Sequence, residues 1–152
     1  MKIFRQIPFS DNLDELIRNL RENNFKIAIA TDSYTFFAED IKNRLGLDYF
    51  FANNLIIEDD IITGELEIHN KELKKDFYSG RIYSICKSNV LENLCKDLNI
   101  KIQESIAVGD GIVDIGMIKK AGLGFAFRAK EEVNKNSDVV VNDMIEILDY
   151  IK

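Results

Sequence analysis

A chain of 152 residues, 46% of them hydrophobic and with ten phenylalanines, is long enough for one packed domain and too apolar for disorder. Its net charge of −6 gives no electrostatic hold on nucleic acid or on an anionic membrane surface. Cys86 and Cys95 show neither a disulfide framework nor metal-ligand spacing, no secretory leader opens the chain, and no apolar run approaches the roughly 20 residues of a membrane span, so a cytoplasmic setting is expected.

In chain order, Lys2-Ile3-Phe4 is a very short apolar run broken by Pro8, the only proline. Ser10 or Asp11 is placed to cap a helix over residues 11–23, whose Leu13, Leu16, Ile17 and Leu20 recur at helical spacing. Lys26 to Thr31 reads as a buried strand of continuous apolar character, followed by a Thr31-Asp32-Ser33 turn and a helix from Tyr34 to Leu45 that Gly46 closes. Phe50-Phe51-Ala52 predicts a short strand. Two apolar runs flanking Asp59-Asp60 predict a hairpin over about residues 54–68 with an acidic turn. Residues 69–85 are polar and carry no periodic signal. A helix follows over Lys87–Leu98, then a strand at Ile106–Val108, a helix at Ile112–Ala121, strands at Leu123–Phe127 and Asp138–Val141, and a last helix at Asp143–Ile151. Strands alternating with helices imply one α/β domain over residues 1–152, with helices flanking a parallel sheet.

Four places can carry chemistry. Gly109-Asp110-Gly111 ends a strand, and Asp110 and Asp114 stand four apart at the following helix start, where they can face one hard cation or can simply cap the helix. A dinucleotide fingerprint fails here, because Asp114 stands where its third glycine belongs. Thr31, Asp32 and Ser33 offer a hydroxyl and backbone N–H groups at a helix start, which suits a phosphate or a helix cap. Lys87 opens a helix, where a cation opposes the dipole and a bound anion would offset it. His69, the only histidine, has no partner nearby in sequence and reads as exposed and inert.

Three phrases make the order of these parts informative: Ala30-Thr-Asp-Ser-Tyr-Thr35, Leu45-Gly-Leu-Asp-Tyr-Phe-Phe-Ala-Asn-Asn-Leu through Gly64, and Val108-Gly-Asp-Gly-Ile-Val-Asp114 through Phe127. Together they resemble the haloacid dehalogenase (HAD) superfamily of phosphotransferases, on its phosphoserine phosphatase branch. The resemblance implies a Rossmann-like sheet with a small β-hairpin, magnesium-dependent aspartyl-phosphate chemistry on a phosphomonoester, and a small phosphorylated metabolite as ligand. It implies that Thr31, with Asp32 and Ser33 beside it, and Lys87 bind phosphate. It also implies that Asp110 and Asp114 serve the metal on a loop supported by Gly109 and Gly111.

The chain departs from that pattern at three points. No D-x-D spacing occurs in it, so no catalytic nucleophile and no helical cap are expected, and the chain is expected to be inactive by itself. Asp32 stands where the family has a glycine, and Val113 where it has an asparagine. With so few carboxylate oxygens, only a weak magnesium site is expected. Two proposals follow for the sheet's centre: Lys2-Ile3-Phe4 serves as a short central strand, or a second chain or second copy supplies one. Two functional readings follow as well: one part of a split phosphatase, or a non-catalytic module that binds a metal, a phosphometabolite or a protein.

Overall fold

In the computed structural model, which describes residues 1–151, the first segment is α1 (Lys2–Gln6), a single exposed helical stretch in place of the central strand expected of Lys2-Ile3-Phe4. The Phe4 ring packs on Phe37 with centroids 4.5 Å apart, and the Arg5 guanidinium pairs with the buried Asp40 carboxylate at 2.6 Å. These contacts hold the segment outside the sheet, and Ile3 is left 80% exposed. Ile7 is extended, as a residue before proline must be, and ends the helix.

Next comes α2 (Leu13–Glu22), which buries Leu16 and Ile17. Neither Ser10 nor Asp11 caps it. Asn12 takes the N-cap position in a left-handed conformation, and its amide donates to Asp143 at 2.9 Å, tying this helix start to the far end of the chain. The strand expected at Lys26–Thr31 is β1 (Ala28–Tyr34), which runs on through Thr31-Asp32-Ser33 where a turn was expected, and α3 (Thr35–Leu45) follows, closed by Gly46 at a φ of 63° as read from sequence. The short strand at Phe50–Ala52 proves to be part of a longer one, β2 (Tyr49–Glu58). It runs parallel to β1 over Tyr49–Phe51 and then becomes the first arm of the expected hairpin with β3 (Ile61–Glu67). Asp59 and Asp60 make the turn with φ values of 48° and 63°.

Residues 69–85 are irregular but anchored. Asn70 donates to the carbonyls of Lys74 and Tyr83, while Asp76 accepts the N–H groups of Tyr78 and Ser79. After α4 (Lys87–Asp97) and β4 (Ile106–Gly109), the helix expected over Ile112–Ala121 is divided: a 3-10 turn at Ile112–Asp114 leads into α5 (Ile115–Lys120). Then come β5 (Leu123–Phe127), a short α6 (Glu131–Asn134) that sequence periodicity does not reveal, and β6 (Val139–Val141). The last helix is 3-10 rather than α, over Met144–Tyr150, with Asp143 accepting the N–H of Ile145.

Helices cover both faces of the sheet, as an α/β fold requires. On β5, Phe125 joins Leu16, Val141 and Ile147 on one side, and its neighbour Ala126 joins Ile115, Ile118 and Val133 on the other. The sheet itself is in two halves, ordered β1-β2-β3 and β4-β5-β6. Between β1 and β4 lies a cavity of about 800 Å³, walled above and below by apolar side chains such as Leu16 and Leu20 of α2 and Val90 and Leu94 of α4. Among the described residues no strand enters this slot, no helical cap covers it, and no helix is long and apolar enough to cross a membrane.

Peptide groups along the two facing strands can be assigned to sides. Successive residues of a strand in a parallel ladder present their N–H and C=O to opposite neighbours. The Ile27 carbonyl accepts from Asp48 and Tyr49, so the peptide groups of Ala28 and Ala30 point the other way, into the slot. Ser105 likewise accepts from Leu123 on the β5 side, which turns those of Ile106 and Val108 into the slot.

Candidate active site

One end of the slot is polar, and a chain of contacts shows why. The Asp32 carbonyl, near the carboxyl end of β1, accepts the Asn53 amide at 2.8 Å, and the same amide donates to the Ser84 hydroxyl at 3.0 Å, three residues before Lys87. Lys87, the first residue of α4, reaches Asp114 Oδ1 at 2.5 Å, and Asp114 Oδ2 accepts the N–H groups of Asp110 and Gly111 at 3.1 and 2.9 Å. The carboxyl ends of β1 and β4 therefore meet at one place. Thr31, Lys87, Gly109, Asp110 and Asp114 line the slot there, while Asp32, Ser33 and Gly111 lie just outside its lining.

Asp114 organises this corner. It is 4% exposed and both its oxygens are engaged, so it acts as a buried counter-ion and as the clamp of the 109–111 turn. The odd placement of a cation at the start of α4 is thereby explained within the chain: the Asp114 carboxylate offsets the helix dipole that Lys87 opposes. Gly109 is required by close approach, since a Cβ there would collide with the Asp114 side chain. Gly111 is less constrained, with the nearest Asp114 atom 3.4 Å from an added Cβ.

Across the slot, the Thr31 hydroxyl oxygen accepts the Ser33 N–H at 3.2 Å, which leaves its proton free to donate outward. The Asp32 and Asp110 side chains are exposed. Sequence reasoning passed over Asn53, which is 1% exposed, clamps the Asp32 carbonyl and accepts the His69 N–H at 2.9 Å. Its signal was an asparagine following an otherwise apolar strand, Tyr49 to Ala52. His69 lies edge-on to Phe51 at 5.7 Å, and burial, then the Lys71 charge, hold its imidazole below the ordinary value of 6.5. Both cysteines are free and buried, and burial pushes the Cys95 thiol up against the lowering effect of Ser105.

A resident magnesium does not fit these residues by themselves. The ion wants about six oxygen ligands in octahedral array. Asp114 has both oxygens committed, and among the described residues no three His, Cys, Asp or Glu side chains are grouped to share an ion. What the corner offers is a grip for an anion: a lysine ammonium with protons beyond the one given to Asp114, and the Thr31 hydroxyl of β1 lining the same slot.

Comparison with known proteins places this geometry in context. Residues 2–122 match the family description of haloacid dehalogenase-like hydrolases. A phosphoserine phosphatase of Methanocaldococcus jannaschii is 35% identical over 153 residues, covering 99% of this chain and 67% of that protein. Another, of Archaeoglobus fulgidus, is 34% identical over 138 residues, covering 90% of this chain and 37% of that protein. Among solved structures, a phospho-aspartyl intermediate analogue of phosphoserine phosphatase superposes with a TM-score of 0.84 at 35% identity, over 99% of this chain and 68% of that one. The chain thus spans about two thirds of the length of one curated relative and little more than a third of the other.

Proposed function

The chain belongs to the haloacid dehalogenase-like hydrolases, on their phosphoserine phosphatase-like branch, and from that premise we propose that it carries the phosphate-gripping part of a phosphomonoester hydrolase site. One observation supports this above the others: Thr31, Lys87 and Asp110, from three separate segments, line the polar end of one slot. Lys87 would neutralise charge on the phosphoryl oxygens, and Thr31 would donate its hydroxyl proton to one of them. Asp114 does not touch the ester in this reading. It holds the ammonium in place and fixes the Asp110 and Gly111 amides.

With no D-x-D spacing in its 152 residues, this polypeptide by itself binds a phosphate ester without turning it over. One similar structure is described as a phospho-aspartyl intermediate analogue of phosphoserine phosphatase, which points to an aspartate nucleophile in that enzyme. Here Asp114 is bonded on both oxygens and is no such nucleophile. Magnesium binding is correspondingly weak, and the exposed Asp32 and Asp110 carboxylates beside the anion lower its affinity further. Binding without turnover is the behaviour of one part of a split phosphatase as well as of a phosphometabolite-binding module.

The test is phosphoserine and inorganic phosphate binding to the 152-residue chain, followed by phosphorus NMR with and without magnesium. Binding is expected to weaken at least about tenfold in Thr31→Val and in Lys87→Ala, each checked for native circular dichroism. No phosphate release is expected from phosphoserine or from a chromogenic phosphate ester. Magnesium-dependent hydrolysis by this chain, lost in Asp110→Asn, would overturn the proposal.

A further inference from the structure

Asn53, in the middle of β2, is 1% exposed, and its side chain bonds to three separate stretches of the chain. Its amide nitrogen donates to the Asp32 carbonyl at 2.8 Å and to the Ser84 hydroxyl at 3.0 Å, and its amide oxygen accepts the His69 N–H at 2.9 Å. A carbonyl can only accept and a peptide N–H can only donate, so these partners fix which way the carboxamide points. Aspartate has the same shape but no N–H to give, and leucine can neither donate nor accept.

Two of these bonds lead to the two groups that grip the anion. The Asp32 carbonyl and the Ser33 N–H belong to one planar peptide group, and that N–H donates to the Thr31 hydroxyl oxygen at 3.2 Å. Holding the carbonyl fixes the plane and strengthens its N–H as a donor, which keeps the Thr31 oxygen engaged there and its proton free. The second bond leads to Lys87. Ser84 is held twice, by Asn53 on its hydroxyl and by the Asn70 N–H on its carbonyl at 2.8 Å. From Ser84 the chain reaches Lys87 through Ile85 and Cys86, which are 3% and 2% exposed, so little slack separates the anchor from the ammonium.

We propose that Asn53 is the positioning residue of the anion corner. Through the Asp32–Ser33 peptide it orients the Thr31 hydroxyl, and through Ser84 it sets where Lys87 enters the slot. It touches no ligand itself. The inference deepens the phosphate reading and rests on it for affinity, but the placing of Lys87 can be read with no phosphate present.

The test cuts the two links separately. Asn53→Asp keeps the acceptor for His69 but offers the Asp32 carbonyl no proton. Ser84→Ala removes the hydroxyl that Asn53 holds, and Ser84→Thr keeps it. Each variant is first checked for native circular dichroism. In the phosphate-free chain the Lys87 ammonium, whose side chain is 12% exposed, is followed by proton–nitrogen NMR. Its protons are expected to exchange with water at least about tenfold faster in Ser84→Ala and to stay within about twofold in Ser84→Thr. Inorganic phosphate affinity is then measured in double-mutant cycles. Ser84→Ala is expected to weaken binding at least about threefold, and to add nothing once Lys87→Ala is present. Asn53→Asp is expected to weaken it at least about tenfold and to reduce the effect of Thr31→Val to less than about twofold. A residue that merely supports the fold would lower affinity by the same factor in every background and leave the ammonium unchanged. Either result overturns the proposal, as does an ammonium that responds alike in Ser84→Ala and Ser84→Thr. If Asn53→Asp does not fold, the two Ser84 variants decide. If the ammonium responds as expected but the chain binds no phosphate, the functional proposal fails and the placing of Lys87 by Asn53 stands.

Discussion

At the scale of single residues, the Asp114 carboxylate does most to shape the site, and its neighbours follow from it. A buried carboxylate is tolerated when it is paired and hydrogen-bonded, and Asp114 has an ammonium on one oxygen and two peptide N–H groups on the other. The two glycines of the turn differ in consequence. Gly109→Ala drives a methyl group into the Asp114 side chain, whose position is fixed at both oxygens, so the turn or the Lys87 pair must shift. We expect it to destabilise the fold by about 1–3 kcal/mol, the usual range for forced overpacking, while Gly111→Ala stays within about 0.5 kcal/mol. Urea unfolding of the two variants checks this, and equal losses would show that Asp114 is not the constraint. From the sequence these glycines look alike, because a Gly-Asp-Gly turn signals flexibility at both positions and says nothing of which side chain comes close. The same limit applies to Asp110 and Asp114. Their spacing suggested a shared face, but a 3-10 turn intervenes and Asp114 turns inward to Lys87.

Among the elements, the hairpin was the most legible and α1 the least. Two β-branched runs around an acidic pair leave few alternatives to a hairpin, and Asp59 and Asp60 do sit at the tip with φ above zero. At residues 2–4 the apolar run is too short for periodicity to separate strand from helix, and the deciding contacts, Phe4 on Phe37 and Arg5 on Asp40, lie more than 30 residues away. The hairpin turn is also suboptimal in a way that can be measured. Two adjacent carboxylates repel, and both residues adopt a left-handed conformation that glycine and asparagine tolerate better. Replacing the pair by Asp59→Asn with Asp60→Gly is expected to raise stability by about 1 kcal/mol, seen as a higher urea midpoint with unchanged slope. A lower midpoint would mean that the carboxylates hold the turn by local hydrogen bonds instead.

On the scale of the whole molecule, alternating patterns announced an α/β sheet, and family resemblance announced which kind, but the pairing of edges was beyond both. Hydrophobic runs say that β1 and β4 are buried on two faces; they do not say what lies along each edge. Lys2-Ile3-Phe4 was a reasonable filler by length and hydropathy, and it fails because α3 offers Phe4 and the following Arg5 partners of their own. What remains is a sheet divided along its middle, with the buried cores described above attached to the β4-β5-β6 half. That division has a signature within single strands. In β1 the Ile29 N–H is directed to β2, while those of Ala28 and Ala30 face the slot; in β4 the Ala107 N–H is directed to β5, while those of Ile106 and Val108 face the slot. Local exchange tracks whether an amide is bonded and how far its surroundings must open. In the chain by itself, Ile29 and Ala107 should exchange at least about tenfold more slowly than their neighbours on either side, a residue-by-residue alternation absent from a sheet paired on both edges. Amide-resolved exchange by NMR measures this directly. Uniform slow exchange along β1 and β4 would show that the two edges are already satisfied, and the division of the sheet would not exist in solution.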